Sequence, residues 1–383
     1  MLAMHFACSA AALIFMDAKQ KNGKASKYAV SFEDATLEGF ISKTKKSIHA
    51  IITEYVRKPA ALVSDAAAAE RYSEMLFDYI NRPSHYTRPM LLMLTALMYD
   101  NQDPATLLLA AAVQLSQEWI LIHDDIEDKS EMRRGMPTLH KLYGSSAALH
   151  IGDVLHSVMW NMFIDYLGVA NPEIRERLYN KFIEVAYSTA SGQFQELNFM
   201  YGKDGLRSAK ESTYFEIASG KTSSYSMRGP LQLGAISAGQ DENIVEKLGA
   251  IGENAGIAFQ INDDIIDMQK GYNSGKGEFN DIREGKLTLI IKHTFDLASD
   301  DEKQRLAEIY NKPREQKTGE EIKFVIGAIE KYDGIGFAAK KRDEIIERTT
   351  EQMLGFLDFI PKNKFAAWLQ ATIINIYNRE QLY

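Results

Sequence analysis

Residues 105–128 read ATLLLAAAVQLSQEWILIHDDIED, and this stretch decides the fold class. From Ala105 to His123 it is a nearly continuous apolar helix, free of glycine and proline, and a helix apolar on all sides is one that is buried. The helix ends in charge, at His123-Asp124-Asp125-Ile126-Glu127-Asp128. Asp124 and Asp128 are four residues apart, so they share a helical face and can hold a divalent ion between them. Carboxylates at the end of an apolar helix must have their desolvation offset by metal ions or cationic partners.

The same apolar helical spacing recurs on both sides. Leu37, Phe40, Ile41, Ile48, Ile51, Ile52 and Tyr55 follow it, and residues 147–167, 173–197, 214–218, 244–268 and 287–297 read alike. Strand-like alternation is scarce, and Pro104, Pro137, Pro172, Pro313 and Pro361 fall between the helical stretches, where a missing backbone donor does least harm. An all-α fold is expected, a single large helical bundle around a central cavity. Residues 31–383 show no clear internal linker and read as one domain, preceded over residues 1–30 by an apolar tail or docking helix (Met1–Met16) and a polar linker (Lys19–Lys27).

Composition narrows the function. The 383 residues are 45% hydrophobic and 25% charged, as in a soluble globular protein, and the net charge of −8 argues against a nucleic-acid partner. One cysteine, Cys8, forms no internal disulfide and fits a reducing, cytoplasmic setting. Met1–Met16 is short for a bilayer span, so membrane contact is at most peripheral.

A second acidic cluster, Phe259-Gln260-Ile261-Asn262-Asp263-Asp264-Ile265-Ile266-Asp267, repeats the DDxxD spacing of the first at the end of another apolar run. Facing each other, two such helix ends make a cage for several Mg²⁺ ions, a hard cation suited to carboxylate and phosphate oxygens. Arg133, Arg134 and Gly135 follow the first cluster. Guanidinium forks match phosphate oxygens in bidentate fashion, which suits a diphosphate bridging metal and protein.

With these motifs together, the chain from about Arg82 onward resembles the trans-isoprenyl diphosphate synthases, the polyprenyl synthetase family that includes farnesyl and geranylgeranyl diphosphate synthases. Gln193 and Glu196 in GQFQE resemble the family's GQxxD element, Lys221-Thr222 with Tyr225 its KTxxY, and Gly275-Lys276, Asp281-Ile282 and Gly285-Lys286 its GK…DI…GK segment. The resemblance implies the isoprenoid synthase fold, a homodimer, and a prenyltransferase. Such an enzyme joins isopentenyl diphosphate to a C5–C15 allylic diphosphate and gives a C15–C20 product. It implies three Mg²⁺ ions held or surrounded by Asp124, Asp125, Asp128, Asp263, Asp264 and Asp267. Arg133, Lys221, Lys276 and Lys286 are then expected on the diphosphates, with Thr222 and Gln260 facing the allylic cation. His85, Arg88, Gln117 and Arg134 match the positions that bind isopentenyl diphosphate. Trp119, five residues before Asp124, with Met159 and Trp160, is expected to form the floor that limits product length.

Two alternatives share parts of this pattern. A class I terpene cyclase typically pairs one DDxxD with an asparagine/serine/glutamate motif, and a non-catalytic partner subunit should have lost carboxylates; both clusters here are complete. One departure stands out. Ser84-His85-Tyr86-Thr87-Arg88 occupies the place of the family's G-K-x-x-R, so an imidazole replaces an ammonium. An unperturbed imidazole is mostly uncharged at neutral pH, while a bound diphosphate favours its protonated form. The KM for isopentenyl diphosphate is therefore expected to rise between about pH 6 and pH 8.5 in the wild type and to level out in His85→Lys; a flat wild-type profile would sink the assignment.

Overall fold

The computed structural model describes residues 32, 36–202, 205–269, 278–356 and 360–377. The expected N-terminal tail and linker and Lys276 lie outside these residues. The chain runs through α1 (Leu37–Ala60), α2 (Ala66–Asn81), α3 (Thr87–Met98) and α4 (Thr106–Glu127). A hairpin of β1 (Met132–Arg133) and β2 (Met136–Pro137) follows, then α5 (Leu139–Tyr143), α6 (Ser145–Val169), α7 (Pro172–Tyr201), α8 (Gly205–Ser208) and α9 (Glu211–Ile217). A π-helical segment (Ala218–Arg228) leads into α10 (Gly229–Ser237) and α11 (Glu242–Asp267). The rest comprises α12 (Asn280–Glu284), α13 (Leu289–Leu297), α14 (Asp300–Tyr310), α15 (Gly319–Lys331), α16 (Gly334–Phe356) and α17 (Lys364–Tyr377). The all-α expectation holds, and no helix among the described residues is long and apolar enough to cross a membrane.

Local sequence sets the helix starts. Asp65, Asp241 and Thr288 accept hydrogen bonds from the backbone N–H three residues on, and Ser299/Glu302 and Thr318/Glu321 form reciprocal capping boxes. Pro172 opens α7 behind the cap Asn171, where its missing donor is not needed.

Helix α4 is the spine. Its first half is buried almost completely, from Thr106 through Leu115, and it packs most extensively against α6, with α1 and α3 also against it. Its last two turns emerge into a cleft bordered by α7, the π-helical segment, α11 and α12, into which the acidic residues project.

The sequence reading caught only residues 214–218 of what is a longer rod from Glu211 to Ser237. Gly220, Ser223, Ser224, Gly229 and Pro230 depress ordinary helix propensity there, and Pro230 both lacks a donor and crowds the carbonyl four residues back. The wider π turn accommodates this, and such turns shift the facing of the residues within them. The segment also runs against α7 at glycines. A Cβ on Gly192 would lie 2.2 Å from the Lys221 backbone nitrogen and 2.6 Å from the Gly220 carbonyl carbon. One turn along from Gly192, Glu196 then meets the Lys221 ammonium. Gly192→Ala must push the two elements apart; it is expected to cost about 1–3 kcal/mol in urea unfolding and to lower activity by a larger factor than global instability explains. Wild-type stability and activity in this variant would show that the close crossing is dispensable.

Candidate active site

Asp124, on the last turn of α4, accepts a hydrogen bond from Lys221 Nζ at 2.9 Å, and Lys221 also pairs with Glu196 of α7. Asp128 Oδ2 accepts from Lys286 Nζ at 2.8 Å, and Lys286 bonds Glu284 at 2.9 Å. Glu284 is held in turn by Arg314 Nη1 at 2.9 Å and by the Ser130 hydroxyl at 3.3 Å. Two lysines therefore reach into one nest of buried carboxylates from different elements. Burial works against the charge on Lys221, but Asp124 and Glu196 outweigh it and hold its pKa above the ordinary lysine value. The Asp128 carboxyl is pushed up to about 7 by burial, against the pull of Lys286.

The second aspartate of each cluster is placed differently from the first. Residues one apart on a helix differ by about 100° in direction, so Asp125 turns away from the Asp124/Asp128 face. It accepts from the Tyr79 hydroxyl at 2.6 Å and from Arg133 Nε and Nη2, and it is fully buried. Asp264 is its counterpart, accepting from the Tyr214 hydroxyl and from Gln260 Nε2, both at 2.7 Å. Burial raises the Asp264 carboxyl to about 8, although both of those donors lower it. Asp125 and Asp264 were expected among the metal ligands; here they anchor a guanidinium and an amide, each behind a buried tyrosine hydroxyl. Asp267 accepts from the backbone N–H groups of Asn280 and Asp281, tying α11 to α12, while Asp263 is exposed.

A hydrogen-bonded chain links the π-helical segment to this second cluster: the Thr222 hydroxyl donates to Gln260 Oε1 at 2.6 Å, and Gln260 donates to Asp264. Gln193 Nε2 reaches Glu127 on the first cluster.

The hairpin after α4 sets the arginines. Arg134 and Gly135 both have positive φ, 53° and 77°, the pairing a two-residue type I′ turn requires. Arg82, itself buried, fastens the turn by donating to the carbonyls of Arg133 and Pro137 at 2.8 and 2.7 Å. Arg133 consequently points to Asp125 and Asp124, and Arg134 to buried Glu118 at 3.0 Å and the Tyr79 carbonyl at 3.1 Å. Arg88 lies 4.1 Å over the Tyr225 ring and donates to the Ser226 hydroxyl at 2.6 Å. Gln117 is half-buried on α4 and His85 is exposed.

At the expected floor, Trp119 lies 4.6 Å from the His156 ring, and Trp160 donates its indole N–H to His156 Nε2 at 2.9 Å. Phe163 and Phe182 continue the ring contacts from Trp160. Met159, one residue earlier, is buried in the main core. His156, which joins the two tryptophans, was not singled out from sequence, and neither were Tyr79, Tyr214, Glu118, Glu284 or a ligand role for Glu196. His123, at the start of the first cluster, has its Nε2 3.4 Å from the Leu149 carbonyl and 3.7 Å from Asp153.

The carboxylates fit a divalent ion. Asp124, Asp128 and Glu196 can each offer an oxygen within 4.8 Å of the others, all three buried, and Asp128 Oδ1 is buried without a hydrogen-bond partner. A buried carboxyl oxygen left unpaired is costly, and a metal ion there would satisfy it.

A helical cleft with buried carboxylates able to hold divalent metal, ringed by lysines and arginines, defines a protein suited to a polyanionic ligand. The polyprenyl synthetase family model matches residues 69–329, and the chain belongs to this family. Geranylgeranyl diphosphate synthase of Sulfolobus acidocaldarius is 32% identical over 218 residues, 57% of this chain and 64% of that protein's length. Geranylgeranyl pyrophosphate synthase of Geoglobus acetivorans is 30% identical over 253 residues, 64% of this chain and 77% of that one. The crystal structure of geranylgeranyl pyrophosphate synthetase from Pyrococcus horikoshii superposes with a TM-score of 0.70 at 27% identity, covering 87% of this chain and 99% of that one.

Millimolar Mg²⁺ is expected to raise the Tm by about 2–4 °C, through preferential binding to the folded state. Asp128→Asn or Glu196→Gln should lose most of that gain. An equal Mg²⁺ shift in wild type and both variants would remove these carboxylates from the metal site.

Proposed function

We propose that the chain is a Mg²⁺-dependent prenyltransferase that condenses isopentenyl diphosphate with a C5–C15 allylic diphosphate, head to tail and trans, into a C15–C20 prenyl diphosphate. The observation that supports this reading is the nest of Asp124, Asp128 and Glu196 bonded by Lys221 and Lys286, with the second DDxxD helix joined to the Lys221 segment through Thr222 and Gln260. It supplies carboxylate oxygens able to hold metal and ammonium groups of the kind a diphosphate leaving group needs. Mg²⁺ bound at Asp124 and Asp128, and at the second cluster, would neutralise charge on the departing diphosphate.

The remaining chemistry belongs to side chains. Lys221 and Lys286, now neutralising carboxylates, are the cations that exchange partners with the allylic diphosphate oxygens; Lys276 is assigned to the same task from its motif alone. Arg133 keeps Nη1 outside its bonds to Asp124 and Asp125, available to a phosphate oxygen. Thr222 commits its proton to Gln260, so the lone pairs of its oxygen are left to face the allylic cation that forms when the C–O bond breaks. The isopentenyl double bond attacks that cation. Loss of a proton to the released diphosphate restores a neutral alkene and completes the condensation. Arg88, Arg134, Gln117 and His85 are assigned to the isopentenyl diphosphate, and apolar helices keep water from the cation.

Trp119 and Trp160, joined through His156, are assigned as the floor that stops elongation, which supports a short-chain product. The family resemblance supports a homodimer, and the single cysteine a cytoplasmic setting.

Purified protein supplied with Mg²⁺, isopentenyl diphosphate and C5, C10 or C15 allylic diphosphates should give a C15 or C20 product by chromatography. Trp119→Ala should lengthen it by one or more C5 units. No prenyl product with any partner would overturn the proposal.

A further inference from the structure

Lys45, on α1, carries an ammonium that nothing above accounts for. Its side chain is half-buried, it donates to the Ser84 carbonyl at 3.2 Å, and it lies 5.9 Å from the centre of the Tyr86 ring. It therefore brackets His85, the position at which an imidazole replaces the family's ammonium. Lys45 makes no ion pair among the described residues, and burial lowers its pKa without any carboxylate opposing the shift. The ammonium is half-exposed and held beside Ser84, placed to meet an anion that arrives from outside.

The surroundings specify where that anion sits. Tyr86 lies within electrostatic reach of both Glu118 and Arg134, and Arg88 within reach of the same two groups. Lys45, Arg88 and Arg134 thus border one region around the start of α3. The charges there fall short of what a diphosphate requires. Arg134 is bonded to Glu118, whose carboxylate is buried and cancels most of its charge. Arg88 is the one guanidinium of this pair bonded to a neutral group, the Ser226 hydroxyl. A phosphate monoester group already carries about −1.5 to −2 near neutral pH, and a diphosphate more.

We infer that Lys45 is a binding residue for the diphosphate of the second substrate, supplying from α1 the ammonium that position 85 lacks. The inference rests on the assignment of Arg88 and Arg134 to that substrate under the proposed function. An ammonium has three donors; one is used on Ser84, which aims the group, and two remain for phosphate oxygens. The Ser84 bond couples the loop to α1, so the ammonium and the first turn of α3 are positioned together.

The test compares wild type with Lys45→Gln, Lys45→Arg and the double variant Lys45→Gln/His85→Lys. It reads KM for each substrate, and Kd for isopentenyl diphosphate alone by calorimetry. Lys45→Gln should raise KM and Kd for isopentenyl diphosphate about tenfold, as loss of one charge-assisted contact implies, with KM for the allylic diphosphate held within about twofold. Lys45→Arg should keep most of the affinity, and the double variant should recover it. Unchanged Kd in Lys45→Gln, or equal rises in both KM values, would overturn the inference. Should the wild type bind isopentenyl diphosphate but form no prenyl product, the proposed function fails while the Kd series still decides Lys45; should it bind none, both fail.

Discussion

A carboxylate moved from water into a protein interior costs several kcal/mol unless it gains partners of opposite charge, and this chain withdraws Asp124, Asp125, Asp128, Glu196 and Glu284 into one cleft. The cations that make this tolerable come from far along the chain: Arg133 from the hairpin, Lys221 from the π-helical segment, Lys286 from the end of α12, and Arg314 from the turn before α15. Each element must dock correctly before the next charge is balanced. The cleft is thus a folding constraint as much as a candidate binding site, and under the proposed function the same lysines that neutralise the carboxylates would become available once metal and diphosphate took their places.

Much of this was legible in the sequence because the chemistry is local. The DDxxD spacing places two carboxylates on one face of a helix whatever the helix packs against, and KTSSY and GQFQE mark their elements in the same way. What the sequence did not reveal depends on distant approach. Tyr79 and Tyr214 sit 46 and 50 residues from the aspartates they bond, and no spacing signals such a pair. The split within each cluster was legible in principle from helical geometry; the tyrosine behind each second aspartate was not. The rod from Glu211 to Ser237 was read short because its glycines, serines and proline look like breakers, whereas its middle, Ala218–Arg228, packs against α7 and α11 as a π helix that joins two α-helical ends.

The two aspartate segments also differ in what they bind. The first is welded to cations on every side: Asp124 to Lys221 and Arg133, Asp125 to Arg133, and Asp128 to Lys286. The second is held mostly by neutral donors, a tyrosine hydroxyl, a glutamine amide and two backbone N–H groups. Burial raises the Asp264 carboxyl to about 8, so the second segment is held by hydrogen bonds to hydroxyl, amide and backbone groups more than by the ion pairs that hold the first.

The type I′ turn at Arg134-Gly135 sits at the junction of these parts. Arg133 ends β1 and Arg134 opens the turn in the left-handed region, so one short hairpin sends Arg133 toward the first cluster and Arg134 toward Glu118. Arg82 clamps its carbonyls from behind. The hairpin is in effect a gauge block: the spacing of the Arg133 and Arg134 backbones is set by one short stretch of chain, and Asp125 and Glu118 fix where their guanidiniums end. Under the proposed assignment of Arg133 and Arg134 to the two diphosphates, two molecules that must meet end to end would be registered against each other by one two-residue turn.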